Sequence, residues 1–204
     1  MITYSLKSMM VNLFPTCLYK ADLPEYVQWV SRRYDHHEFN QGLTGELDGQ
    51  VLVHLDPQLA SFFFEISDHV HKYLAEMKCV YDVHFMKTWY TITDAENPVP
   101  CHCHDPAHIS WVYYLEAEDP LCFSSDSPNE WFPEAFAHAE KNFFNTSVWE
   151  ENTAPGNLLI FPAKLRHHTY NTGPRFSLAG DILLTNTDLN REGGLTHPKY
   201  WKAF

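Results

Sequence analysis

Between residues 59 and 74 the apolar positions Leu59, Phe62, Phe63, Ile66, Val70, Tyr73 and Leu74 recur at three- and four-residue steps. That spacing predicts a helix with one buried face, an aromatic stripe packed against a sheet. Asp56-Pro57 stands just ahead of it, an N-cap residue followed by a proline suited to the first turn. By the same logic residues 21–34 predict a shorter helix, with Asp22 as its N-cap and Pro24 in its first turn. From about residue 82 the pattern changes to short runs rich in aromatic and branched residues, broken by turn residues. They predict strands at 83–93, 109–116, 156–162, 166–170 and 174–184, the last entered through Asn171-Thr172-Gly173. Short strands with Gly and Pro punctuation predict a β-sandwich or jelly roll with flanking helices. Residues 124–155 break the series and read as a long excursion from the sheet, of the kind that forms lids and binding loops.

The length of 204 residues suits one domain over 1–204. It divides into a helical support region at 1–80, a β core at 81–184 carrying the 124–155 excursion, and a tail at 185–204. With Trp 6, Tyr 11 and Phe 14, the chain can bury a large apolar area. The net charge of -12 repels phosphate backbones and anionic lipid, so free nucleic acid is not the expected partner. The cysteines Cys17, Cys79, Cys101, Cys103 and Cys122 are odd in number and contain no C-x-x-C pair, which predicts reduced thiols in a cytoplasmic protein. Residues 1–14 lack the order of charged, apolar and small residues of a signal peptide, and no apolar run is long enough to cross a bilayer.

Thirteen histidines are many for this length, and their clustering carries the chemistry. In Cys101-His102-Cys103-His104-Asp105 an extended backbone would turn His102 and His104 to one side and Cys101 and Cys103 to the other. A third imidazole is available far downstream in Leu165-Arg166-His167-His168. Two ligands from one strand and a third from a distant one is the layout of a facial triad with open positions. Two surface histidines adjacent by chance would look the same in the sequence. A three-residue hairpin loop at 171–173 would set Thr169 opposite Arg175 and His167 opposite Ser177. His167, Arg175 and Ser177 would then share one face, where a guanidinium can fork onto a carboxylate. A two-residue loop would break that register and leave Arg175 as a surface cation.

Read in order, these segments resemble the 2-oxoglutarate/Fe(II) oxygenases, and within them a group found in bacteria and phages. The resemblance is carried by Leu13-Phe14-Pro15, His102-Cys103-His104, and Ser110-Trp111-Val112-Tyr113-Tyr114. It continues through Gly156-Asn157-Leu158-Leu159-Ile160-Phe161-Pro162, then His167, then Arg175-Phe176-Ser177, and so spans most of the chain. It implies a double-stranded β-helix (jelly roll, cupin-like), with His102 and His167 as iron ligands. Arg175 and Ser177, helped by Tyr114, would hold the distal carboxylate of 2-oxoglutarate. The implied activity is O2-dependent hydroxylation of a peptidyl or small-molecule substrate; homo-oligomerisation is left open.

The resembled superfamily places an acid two residues after the first histidine, where His104 stands here. Asp105 could take that role if the strand bulges, whereas alternation favours His104. A third imidazole makes the ligand set neutral. It therefore keeps two other classes in view: a three-His cupin-like metalloenzyme without 2-oxoglutarate, and a non-catalytic jelly-roll binding protein. Trp131, Phe132, Phe136, Phe143, Phe144 and Trp149 in the excursion would either line a substrate groove or pack it onto the body.

Overall fold

The structure, a computed structural model, describes residues 15–34, 52–93, 95, 98–125, 140, 142, 146–170, 173–188 and 194–203. Leu13, Phe14, and the excursion aromatics other than Trp149, lie outside the described residues. Among the described residues, two helices, α1 (Val27–Arg33) and α2 (Ala60–Glu76), accompany nine strands. The strands are β1 (Tyr19–Asp22), β2 (Asp82–Thr93), β3 (Ile109–Ala117), β4 (Leu121–Ser124), β5 (Val148–Glu151), β6 (Asn157–Pro162), β7 (Arg166–His168), β8 (Arg175–Asn186) and β9 (Leu195–Thr196). One sheet runs in the order β1-β6-β3-β8-β2, with β9 added parallel to the end of β8; a second runs β5-β4-β7. Leu121 and Phe123 of the small sheet pack against Tyr114, Leu159 and Phe161 of the large one. The sheets thus face each other as a jelly roll, without closing into a barrel. No described helix is long and apolar enough to cross a membrane.

The apolar period of α2 is realised in full: Leu59, Phe62, Phe63, Ile66, Val70, Tyr73 and Leu74 are all buried in the main core, behind the large sheet. Asp56 accepts from the Gln58 backbone N–H (2.9 Å) and starts a single 3-10 turn, Pro57–Leu59, that runs into the helix. The same carboxylate pairs with Arg33 (2.7 Å) and ties α1 to the start of α2. The helix predicted at 21–34 is shorter than expected. Asp22 ends strand β1, Pro24 opens a 3-10 turn, and α1 begins only at Val27. Tyr19 to Asp22 pair instead with Ile160 to Asn157, a tertiary contact that overrides the local capping pattern.

β3 and β8 each divide their residues by parity. Ile109, Trp111, Tyr113, Leu178 and Ile182 face the helices, while Ser110, Val112, Tyr114, Arg175, Ser177, Ala179 and Asp181 line the space between the sheets. Gly180 sits where a Cβ would come within 2.8 Å of Trp111 and Thr88, so the two neighbouring strands close over it. β2 changes parity at a bulge: Phe85 lies opposite Ile182 but Lys87 opposite Asp181, with Met86 between.

β7 and β8 do not pair with each other as the expected hairpin would require. β7 pairs with β4 in the small sheet, and β8 pairs with β2 and β3 in the large one, so the link between them crosses from sheet to sheet. His167 lies opposite Phe123, and Ser177 opposite Tyr114 and Thr91. A turn-forming tripeptide marks a reversal but does not say which edge the returning strand joins.

Candidate metal centre

Between the sheets lies a cavity of about 420 Å³. Its wall includes His102, His104, His167, Tyr114, Arg175 and Ser177, so the candidates from both halves of the chain meet there. The segment before β3 runs antiparallel to the free edge of β7. His102 and His167 exchange both main-chain hydrogen bonds (3.1 and 2.9 Å), and the Thr169 N–H reaches Val99 O (3.1 Å). The His104 N–H then turns to Ala163 O (2.8 Å). Only His102 in this stretch makes a sheet bridge, so strict alternation does not extend along it. Cys101 is exposed as expected, but Cys103 lines the cavity beside the histidines rather than pointing away.

Each imidazole has its Nδ1 committed. His102 Nδ1 meets Pro100 O at 2.8 Å, His167 Nδ1 meets Leu165 O at 2.9 Å, and His104 Nδ1 meets Asp181 Oδ1 at 2.7 Å. Each of these oxygens accepts from an Nδ1 hydrogen, and an imidazole whose single hydrogen sits on Nδ1 turns a bare Nε2 inward. One nitrogen from each of the three lies within 4.8 Å of the others. The Nε2 atoms of His102 and His104 are 2.9 Å apart. Two lone pairs at that distance repel unless a cation stands between them. Two nitrogens each about 2.1 Å from one ion, at right angles, are separated by roughly 3 Å, so the donor set fits a transition metal. Trp89 stacks on His104 (centroids 5.6 Å) and Phe161 sets its edge to His167 (4.9 Å), which restrains both rings.

Burial holds the His167 imidazole down to about 3, with the neighbouring His102 adding to the effect. His102 is lowered mainly by burial, against the opposing pull of the Pro100 carbonyl. Both rings are therefore neutral, and available as ligands, at ordinary pH. Asp105 is not part of the cluster. It sits at the rim, largely exposed, with Lys164 3.9 Å away.

Arg175 is buried with its guanidinium over the Tyr114 ring (5.3 Å) and donates from Nη1 to the Tyr114 hydroxyl (3.4 Å). Its Nη2 donates to the carbonyls of Asp119 (2.6 Å) and Pro120 (3.0 Å). One side of the expected fork is thus taken by the turn between β3 and β4. Its Nε is buried without a partner, an orphan donor suited to a ligand oxygen. Burial pushes the Tyr114 hydroxyl up, so it stays protonated. Asp181 was not singled out by sequence pattern, although it shares the odd parity of Arg175 and Ser177 along β8.

Two facing sheets that enclose converging imidazole nitrogens and a buried arginine have the architecture of a double-stranded β-helix, with a donor set that fits a metal. Residues 87–181 match the model of a family described as "Putative 2OG-Fe(II) oxygenase". That stretch runs from the bulge of β2 to Asp181, so the chain resembles the 2-oxoglutarate/Fe(II) oxygenases in sequence pattern as well as in fold. No curated protein matches the chain. Among solved structures it is similar to a Pseudomonas putida prolyl-4-hydroxylase at 13% identity (TM-score 0.55, covering 82% of this chain and 92% of that one). It is likewise similar to HygX from Streptomyces hygroscopicus, solved with nickel and 2-oxoglutarate bound, at 13% identity (TM-score 0.56, covering 89% and 92%). A prolyl hydroxylase from Trichoplax adhaerens, in complex with a peptide fragment of hypoxia inducible factor, is 14% identical (TM-score 0.52, covering 81% and 82%).

Proposed function

We propose that the protein is a 2-oxoglutarate- and Fe(II)-dependent dioxygenase that hydroxylates a C–H bond of a peptidyl or small-molecule substrate. The observation that carries this reading is the convergence of three imidazole nitrogens in the cavity that also holds the unpartnered Nε of Arg175. His102, His104 and His167 hold the metal, with Asp105 left at the rim. Arg175, Ser177 and Tyr114 receive the distal carboxylate of 2-oxoglutarate. Bound Fe(II) supplies O2 activation, by which one oxygen atom enters the substrate C–H bond and the other enters succinate as 2-oxoglutarate loses CO2.

The chain's own residues orient and exclude. The carbonyls of Pro100 and Leu165 keep the Nδ1 hydrogens of His102 and His167 in place, so both Nε2 atoms stay open to a cation. Arg175 fixes the acid's orientation through charge-assisted hydrogen bonding and takes no part in bond making. Val112, Leu121 and Phe161 form an apolar stretch of wall that keeps water away from the centre. The fold neighbour solved with a peptide fragment, and HygX, which is also solved with hygromycin B bound (12% identity, TM-score 0.56), support keeping both substrate classes.

A second reading is a three-His cupin-like metalloenzyme that does not use 2-oxoglutarate. It is favoured by the lack of an acid in the ligand set and by the two main-chain carbonyls on Arg175 Nη2. Anaerobic titration with Fe(II) and then 2-oxoglutarate separates the readings. A weak visible charge-transfer band on the second addition supports the dioxygenase. Iron uptake without that band, and without affinity for 2-oxoglutarate, supports the cupin-like enzyme. Failure to take up metal leaves a non-catalytic jelly-roll binding protein.

A further inference from the structure

The three imidazoles lean on unlike partners. His102 and His167 donate to neutral main-chain carbonyls, whereas His104 donates to the carboxylate of Asp181 at 2.7 Å. His104 is also the residue standing where the resembled superfamily has an acid. Asp181 is itself held in place. It lies in register with Ser110 on β3, whose hydroxyl donates to the same Oδ1 at 2.9 Å, and it is buried on the cavity face of β8. A buried carboxylate is costly to desolvate, and nothing in the packing of the two sheets calls for one here.

We infer that Asp181 is a positioning residue for the metal centre: it orients His104, and it supplies from behind that ring the negative charge the ligand set itself lacks. This inference rests on the metal-centre reading above. A carboxylate accepting from Nδ1–H fixes the tautomer and makes Nε2 a better donor to a cation. His104 and Asp181 together then replace the single acid ligand of the common triad, with its charge moved one hydrogen bond outward. The Trp89 ring stacked on His104 (centroids 5.6 Å) restrains the imidazole while leaving its in-plane nitrogens to Asp181 and the cavity.

The test is Mn(II) affinity, measured by calorimetry on metal-free protein, for wild type, Asp181→Asn and Asp181→Ala, each also in a His104→Asp background. Partners of this kind typically change metal affinity by about 10- to 100-fold. Asp181→Asn keeps the shape and an acceptor oxygen but removes the charge, so about a tenfold loss is expected. Asp181→Ala removes both and is expected toward the hundredfold end. With aspartate at position 104 no ring remains to be oriented, and Asp181→Asn should then cost nothing. Circular dichroism of the metal-free proteins checks folding, and the isosteric Asn variant decides if Ala does not fold. Wild-type affinity in Asp181→Asn and Asp181→Ala, or an equal loss in the His104→Asp background, overturns the role of Asp181. Absence of Mn(II) binding in the wild type overturns instead the metal-centre reading beneath it.

Discussion

On one face of β8, Phe176, Leu178, Ile182 and Leu184 pack toward the helices; on the other, Arg175, Ser177, Ala179 and Asp181 line the cavity. The two sets come from the same twelve residues of strand and obey the same alternation. The first is explained by burial alone, the fully buried Leu178 and Ile182 each contributing roughly 1.5–3 kcal/mol and the partly buried Phe176 and Leu184 less. The second buries a guanidinium, a hydroxyl and a carboxylate, which disfavours folding unless each is hydrogen-bonded. A fold that needed only a sandwich interior would have continued the first pattern on the second face. The difference is what the proposed site requires: one face of the strand stabilises the fold, and the other lines a polar cavity open to a ligand.

The comparison breaks most completely at the imidazoles. His102→Ala, His104→Ala or His167→Ala should each abolish tight Fe(II) binding while preserving the fold, as measured by metal analysis beside circular dichroism; full iron occupancy in a variant removes that residue from the ligand set. The reciprocal change is Phe62→Ala, a fully buried ring of α2 set against Tyr113 (centroids 5.0 Å). It should lower unfolding stability by about 3–5 kcal/mol, yet leave the metal stoichiometry of the folded fraction unchanged. Denaturant unfolding with parallel metal analysis checks both halves.

Acid offers a subtler probe of the polar face. His167 is held down to about 3 when folded and returns to about 6.5 when unfolded. Between those values the unfolded chain binds the extra proton, so stability rises with pH across the window and is lost as pH falls through it. Metal-free protein should lose about 2 kcal/mol between pH 7.5 and pH 5 from this group. Urea unfolding at the two pH values measures the loss, and His167→Ala should remove that share of it.

Smaller still is the effect of Arg175→Lys. It should keep iron but weaken 2-oxoglutarate roughly tenfold or more, since each 1.4 kcal/mol is a factor of ten and an ammonium cannot match the planar donors. Calorimetry with Mn(II) under non-turnover conditions measures it; unchanged affinity in Arg175→Ala would remove Arg175 from cofactor binding. At the bottom of the scale, Asp105→Ala should change metal affinity by no more than about twofold, as expected of an exposed rim charge. A large loss there would return Asp105 to the ligand set.

Much of the candidate site was visible in the chain because its residues stand in short patterns. His102 and His104 lie two apart, Arg175 and Ser177 two apart, and Tyr114 has the parity of Ser110. The helix face from Leu59 to Leu74 was equally legible. What could not be read was pairing. β1, β4 and β5 are four-residue segments without a period long enough to detect, and each exists because a neighbour completes it. The hairpin between His167 and Arg175 was misplaced for the same reason. The two residues still share a cavity because both sheets turn their inner faces to it, not because they are cross-strand partners. Asp181 was missed although alternation reached it, since a single acid in a strand has no pattern of its own until His104 and Ser110 are seen beside it.

The bulge at Met86 makes the length of β2 a matter of counting. Before it, Val83 and Phe85 face the core; after it, Thr88 and Tyr90 do, and Lys87, Trp89 and Thr91 are released to the cavity. Removing that one residue would turn one half of the strand over, carrying Lys87, Trp89 and Thr91 toward the helices or Val83 and Phe85 away from them. Exchanging side chains on the cavity face leaves the count intact. Evolution can therefore edit the chemistry of this wall letter by letter, whereas a single deletion at position 86 shifts the reading frame of the surface itself.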